Sequence, residues 1–185
     1  MAVKEDVKPG ATQNPLWEFS NWAYEDEGVK KACLALQNRL GCDVNMIMFL
    51  LWLADSGIGQ SRLAQYLGAA LKISREWQKT LVEPLRAVRN NLKDFSESGQ
   101  LSADKAAVTA IRERVKACEL DMERLQTAAM YGLVTDTRTE YKRADKNLAR
   151  NNATNNLTVY FSATGVNLDA LGKSHVALIL DGVFG

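Results

Sequence analysis

Residues 43–54, DVNMIMFLLWLA, constrain what this chain can fold into more than any other segment. Asp43, Val44 and Asn45 lead straight into nine consecutive apolar residues, Met46 to Ala54. A bilayer span needs about 20 apolar residues, so this run is too short for membrane insertion. It is apolar on every face and must therefore be wrapped by protein on all sides. The segment predicts a buried central helix, and around it an all-α fold: an irregular bundle of about seven helices.

Composition allows such a core. The 185 residues are 46% hydrophobic and 24% charged, ordinary globular values. A chain of this length makes one domain and buries roughly 70% of its unfolded surface without metals or disulfides. With 23 basic and 22 acidic side chains, the formal charge of +1 gives no global field for nucleic acid or an anionic membrane. Cys33, Cys42 and Cys118 are an odd set without a C-x-x-C pair, read as reduced, buried small hydrophobes. The opening MAVKEDVKPGATQ has no apolar signal core, so a cytoplasmic location is expected.

Residues 1–13 are charged and aperiodic and are read as a disordered tail, with a single helical domain over residues 14–185. Asn14-Pro15 opens a helix, with Asn as cap and Pro in the first turn. It carries Trp17, Phe19, Trp22 and Tyr24, and Gly28 punctuates it. Val29, Ala32, Cys33, Leu36 and Leu40 form one face of a second helix closed by Gly41. Asp43 caps the central helix. A weaker helix continues through Leu63 to Leu71, and Ser74 is expected to cap the next one.

From Trp77 the apolar positions alternate four-three: Trp77, Leu81, Leu85, Val88, Leu92, Phe95. After a turn at Glu97-Ser98-Gly99-Gln100, Leu101, Val108, Ile111, Val115, Cys118, Met122, Leu125 and Ala129 repeat the alternation. Matching stripes and a short connection predict a long antiparallel helical hairpin. Pro84 lies inside its first helix, removes a donor from the Thr80 carbonyl, and predicts a kink. Thr135 to Thr139 is a polar break, Tyr141 to Arg150 a charged helix, and Asn151 to Asn156 a loop or frayed helix. Residues 157–162 have strand-like composition but no partner strand, and are read as helix. Gly165 ends it, and a last helix covers about Leu168 to Val183.

Several segments together resemble an uncharacterised proteobacterial family, domain of unknown function 2390. They are Asn14-Pro15-Leu16-Trp17, Gly28 with Ala32 to Gln37, the DVN…FLLWLA helix, Trp77 with Pro84-Leu85-Arg86 and Arg89, and Asn156-Leu157 with Tyr160. The resemblance spans residues 14–184. It implies helical content, also for 157–162, and no particular activity.

No residue pattern stands out as catalytic, and whether the chain is an enzyme stays open. His175, the only histidine, lies on an apolar helix face without a Cys or Ser partner motif and is read as a half-buried structural residue. No Cys/His spacing suits zinc, and no metal or cofactor is expected. Gly57-x-Gly59 lacks the third glycine, the preceding strand and the lysine of a phosphate loop. Glu119, Asp121 and Glu123 are read as solvated charges on different faces. The candidate binding residues are Arg86, Arg89, Asp43, Asn45 and Trp17. Arg86 and Arg89 share a helix face, with Arg75, Lys79 and Lys93 nearby, and a planar guanidinium suits carboxylate or phosphate. Asp43 and Asn45 sit beside the central helix as caps or at a pocket.

Three functions fit these features. The first is a non-enzymatic protein-interaction or regulatory module. It would present Arg86, Arg89 and exposed aromatics of residues 16–24 to a partner with an acidic surface. The second is an enzyme or binder of a small anionic or apolar ligand beside the central helix. The third is nucleic-acid binding by a local basic patch, the least favoured at this charge balance.

Overall fold

Residues 13–98, 104–134 and 143–185 are described by a computed structural model. The tail expected over residues 1–13 therefore lies, Gln13 apart, outside the described residues. So do Gly99 and Gln100 of the expected turn, Leu101 at the start of the second stripe, the polar break Thr135 to Thr139, and Tyr141 at the start of the expected charged helix. All described regular structure is helical: α1 Pro15–Tyr24, α2 Glu27–Leu40, α3 Val44–Asp55, α4 Gln60–Trp77, α5 Glu83–Ser98, α6 Lys105–Tyr131, α7 Lys146–Thr164 and α8 Ala170–Phe184. A π-helical turn, Gln78–Val82, joins α4 to α5 without a break, so the described helices form seven rods.

Local chemistry sets the boundaries. The Asn14 side chain accepts the Trp17 N–H at 2.9 Å, with Pro15 in the first turn. Asp26 caps α2, accepting the Gly28 and Val29 N–H groups. That helix ends at Gly41, whose φ of 67° is a left-handed conformation suited to glycine. Asp43, Asp145 and Asp169 cap α3, α7 and α8.

α3 is the centre of the molecule. From Met46 to Asp55 every residue is buried, because α1, α2, α4, α6 and α7 all pack on it. The core around it is continuous from Leu16 to Phe184. α7 covers α3 most extensively with Ala149, Ala153, Asn156, Leu157 and Tyr160, which recur at helical spacing and are buried. α8 packs on α2 so closely that a Cβ at Gly182 would collide with Val29. Among the described residues no helix is long and apolar enough to cross a membrane.

Four local expectations are corrected. Ser74 does not cap a new helix; it lies inside α4, where its hydroxyl is engaged by Asp43. Asn151 to Asn156, expected as a loop or frayed helix, is the interior of α7. Packing on α3 overrides the weak propensity, and the Asn156 amide donates to the Leu50 and Ile58 carbonyls at 3.3 and 3.0 Å. The kink expected at Pro84 is resolved as the π turn just before it. The Glu83 N–H bonds to the Gln78 carbonyl, five residues back, which widens the helix where the proline ring would crowd the preceding turn. Cys118 is exposed, unlike Cys33 and Cys42.

The α5–α6 hairpin is present, and these helices contact each other extensively. Its stripes are only half covered: Val108 is buried, while Leu81, Val88, Phe95, Ile111 and Leu125 are exposed.

Candidate functional site

The site is built at the N-terminus of α3. Asp43 has to cap this helix, because α3 is enclosed and its orphan N–H groups cannot reach water. Its Oδ1 accepts the Asn45 N–H at 2.9 Å. The other carboxylate oxygen faces outward from the cap and draws in neighbours. Oδ2 accepts the Ser74 hydroxyl from α4 at 2.6 Å and the Gln126 side-chain N–H from α6 at 2.5 Å. The Asp43 N–H donates to the Tyr160 hydroxyl on α7 at 3.2 Å. The network then extends outward. Gln126 Oε1 accepts from Asn45 Nδ2 and from Gln78 Nε2, both at 3.0 Å. Burial pushes the Asp43 carboxyl above its ordinary range, against the pull of these hydrogen bonds. One aspartate thus ties α3, α4, α6 and α7 together.

A second charged group lies beside it, on the hairpin. Arg86 Nε donates to Glu119 Oε1 at 2.8 Å, and its terminal nitrogen to Glu123 Oε1 at 3.0 Å. Arg89 Nε donates to the other Glu119 oxygen at 2.6 Å. The Glu119 side chain is only 8% exposed, and those of Arg86 and Arg89 21% and 22%. Burial alone would raise Glu119, but the two guanidiniums overcome it and hold the carboxyl below its usual value. Burial also acts on Glu123 and there prevails over the attraction of Arg86, helped by the carboxylates of Glu119 and Asp43, so Glu123 is raised. The reading of Glu119 and Glu123 as solvated is therefore corrected. They are four residues apart, share one face of α6, and meet the arginine pair across the hairpin. Asp121 alone is turned away and exposed.

All five candidate residues, Trp17, Asp43, Asn45, Arg86 and Arg89, line one cleft of about 530 Å³. It lies between α1 and α2 on one side and α5 and α6 on the other. Leu34 on α2 and Leu120 on α6 are exposed apolar side chains on its two walls, and Met48 of α3 also lines it. Trp17 is buried, with the Arg124 guanidinium 5.0 Å from its ring centroid. Of the aromatics expected to be exposed in residues 16–24, Trp17 and Phe19 are buried and Trp22 is exposed. Trp22 carries Arg143 over its ring at 4.4 Å. Tyr24 and Cys33 are hydrogen-bonded beneath the cleft. Burial raises both, the thiol to about 12, which keeps it protonated and unreactive.

A second cleft of about 790 Å³, lined by Leu71, Ser74, Arg75, Gln78, Lys79 and Tyr160 among others, shares Gln37, Asp43 and Arg86 with the first. Asp43 and Arg86 thus stand on the partition between two clefts. Sequence reasoning missed Ser74, Gln78, Glu119, Glu123, Gln126 and Tyr160. The spacing of Glu119 and Glu123 against Arg86 and Arg89 is a usable signal once the two helices are antiparallel. His175 is half-buried on α8, outside both clefts. Among the described residues no cluster of His, Cys, Asp and Glu is arranged to hold a metal ion.

A family model described as Protein of unknown function (DUF2390) matches residues 15–130. That range takes in α1 to α5 and nearly all of α6, and with them every cleft residue named here except Tyr160. Neither the curated proteins nor the solved structures give a match.

Proposed function

We propose that this chain, which belongs to the DUF2390 family of proteins of unknown function, is a non-enzymatic interaction module. Its α1–α2/α5–α6 cleft would receive an apolar segment of a partner protein. The observation that carries this reading is the pairing of exposed Leu34 and Leu120 on opposite walls of a cleft whose charged groups are already bonded to one another. Apolar side chains standing in water on facing walls gain free energy when a partner side chain displaces that water, about 25 cal/mol per Å² covered. The internal pairing also bears on the partner's chemistry. An acidic surface would have to compete with Glu119 and Glu123 for guanidiniums they already hold, so an apolar anchor suits the cleft better than an acidic one.

Replacing Leu34 and Leu120 together by Gln tests the reading. Both are exposed, so the melting temperature should stay within a few degrees of wild type. Proteins that co-purify with the wild-type chain from lysate at endogenous level should be lost from the variant. An unchanged set of co-purifying proteins would remove the cleft from consideration as the docking site.

The second reading, a small apolar or anionic ligand, is favoured by one observation. The cleft volume of about 530 Å³ falls within the range of about 300–1,000 Å³ common for small-molecule sites. A thermal-shift screen with metabolites separates the two. A stabilising compound whose effect disappears in the Leu34/Leu120 variant favours the small-ligand reading.

A further inference from the structure

The apolar stripes of the hairpin have an outward row of exposed side chains. Arg86 and Arg89 both reach Glu119, so Val88, between them, lies level with Cys118. Seven residues in either direction bring Leu81 level with Leu125 and Phe95 level with Ile111. Val88 is 48% exposed and Ile111 47%, and Leu81, Phe95, Cys118 and Leu125 are exposed as well. The other members of the stripes, Leu85, Leu92, Val108, Val115 and Met122, are buried or half-buried. The outward row lies on the side of the hairpin away from the Arg86–Glu123 pair, and none of its six residues lines either cleft. It is a two-helix half of the kind that four-helix bundles are made from.

We propose that this face is an interface between two copies of the chain, packed with α6 against α6 in antiparallel sense about a twofold axis through Cys118. The argument is charge and shape self-complementarity. On α6, Arg114 precedes Cys118 by four residues and Asp121 comes three after it, and both are exposed. Antiparallel packing centred on Cys118 places Arg114 of one copy beside Asp121 of the second, and the twofold axis repeats the pair. The same operation sets Ile111 against Leu125 of the second copy and Cys118 against its own mate. A contact in which each patch meets its own copy is what twofold symmetry demands. Among the described residues, the ion pair of Asp121 within one copy is a loose 3.8 Å approach to Arg124, so its carboxylate is available to the second copy. This interface does not depend on the cleft reading, since it uses the opposite face.

A charge-swap series on the full-length chain tests it by sedimentation equilibrium. Wild type should be a dimer. Arg114→Asp or Asp121→Arg alone should weaken it about tenfold, since each creates two like-charge contacts. The double variant R114D/D121R should return to within about threefold of wild type, because the pairs re-form with opposite polarity. Cys118 supplies an independent readout, because Cys33 and Cys42 are buried. A short bismaleimide should link two wild-type chains and fail with Cys118→Ser. A wild-type monomer throughout the accessible concentration range overturns the proposal, as does a dimer unaffected by both single reversals. A monomer whose Cys118 becomes reactive only after removal of residues 1–12 also overturns it, by showing that the chain's own N-terminal segment covers the face.

Discussion

Glu119 is the side chain on which the hairpin's charges depend. Two guanidiniums share its two oxygens, and neither has full access to water. Glu119→Gln keeps both arginines but removes the charge they share and turns one of their three carboxylate contacts into an amide donor, and should cost about 3 kcal/mol, since removing one member of a buried ion pair strands the other. Chemical denaturation at pH 7 measures this. The pH profile carries a second expectation. Because Glu119 is held below its ordinary value, its contribution is complete above the ordinary carboxylate range and is lost as pH falls through the lowered value. Asp43 and Glu123 are raised and act with the opposite sign. The unfolded chain gives up those protons first, so they subtract stability as pH climbs out of the carboxylate range. The stability difference between wild type and the Glu119→Gln variant should therefore be largest near neutral pH and shrink on strong acidification, as the Glu119 contribution is lost from wild type alone. Equal acid sensitivity in both would refute the assignment. Asp43→Asn tests the other network. The amide would turn a donor toward Ser74 and Gln126, which both donate to that oxygen in the native chain, for a cost of about 1–3 kcal/mol at unchanged side-chain size.

At the scale of elements, α3 was legible because nothing about it is amphipathic. A run apolar on all faces has one solution in water, the centre of the fold. Phe49 and Trp52 are buried there, and replacing either by Ala should lower stability by about 3–5 kcal/mol. Calorimetry that found either variant as stable as wild type would contradict this placement. The caps at Asn14, Asp43 and Gly41 were legible for a similar reason, since each is a local rule met by local residues. The interior of α7 was not, because Asn151 to Asn156 has poor helix propensity and the compensation comes from Leu50 and Ile58, far away in sequence. Gln78 and Gln126 escaped notice likewise, and Ser74 was legible only as a cap. Each is an ordinary surface residue type, and only the approach of α4 and α6 to Asp43 makes a network of them. The hairpin was legible from its period, but not the exposure of half its stripe, because periodicity reports that a row is apolar and not what covers it.

For the molecule as a whole, the family match ends at residue 130, yet α3 depends on the two helices beyond that point. α7 covers one side of the central helix, Ile179, Leu180, Val183 and Phe184 of α8 belong to the same core, and Tyr160 accepts the Asp43 N–H. A chain cut after Val134 should thus expose the apolar side of α3 and lose its cooperative transition. Circular dichroism melting should show a broad, low-amplitude change in place of a sigmoid. A sharp transition near that of the full chain would mean that α7 and α8 are dispensable.

The π turn at Gln78–Val82 can also be understood as a matter of phase. A five-residue hydrogen-bonded step is equivalent to one amino acid spliced into an α-helix, and a single residue turns everything beyond it by about 100°. On the near side of that step Ser74 addresses Asp43; on the far side Arg86 and Arg89 address α6. Removing Thr80 would press the rod toward regular winding and rotate the whole of α5 against α4, so the arginines would swing off Glu119 and the Pro84 ring would crowd the turn before it. The rod behaves as a shaft with a one-residue key. Its length in amino acids, more than the identity of any one of them, keeps the inner network and the outer hairpin in step. A single-residue deletion there should be far more damaging than a substitution at the same position.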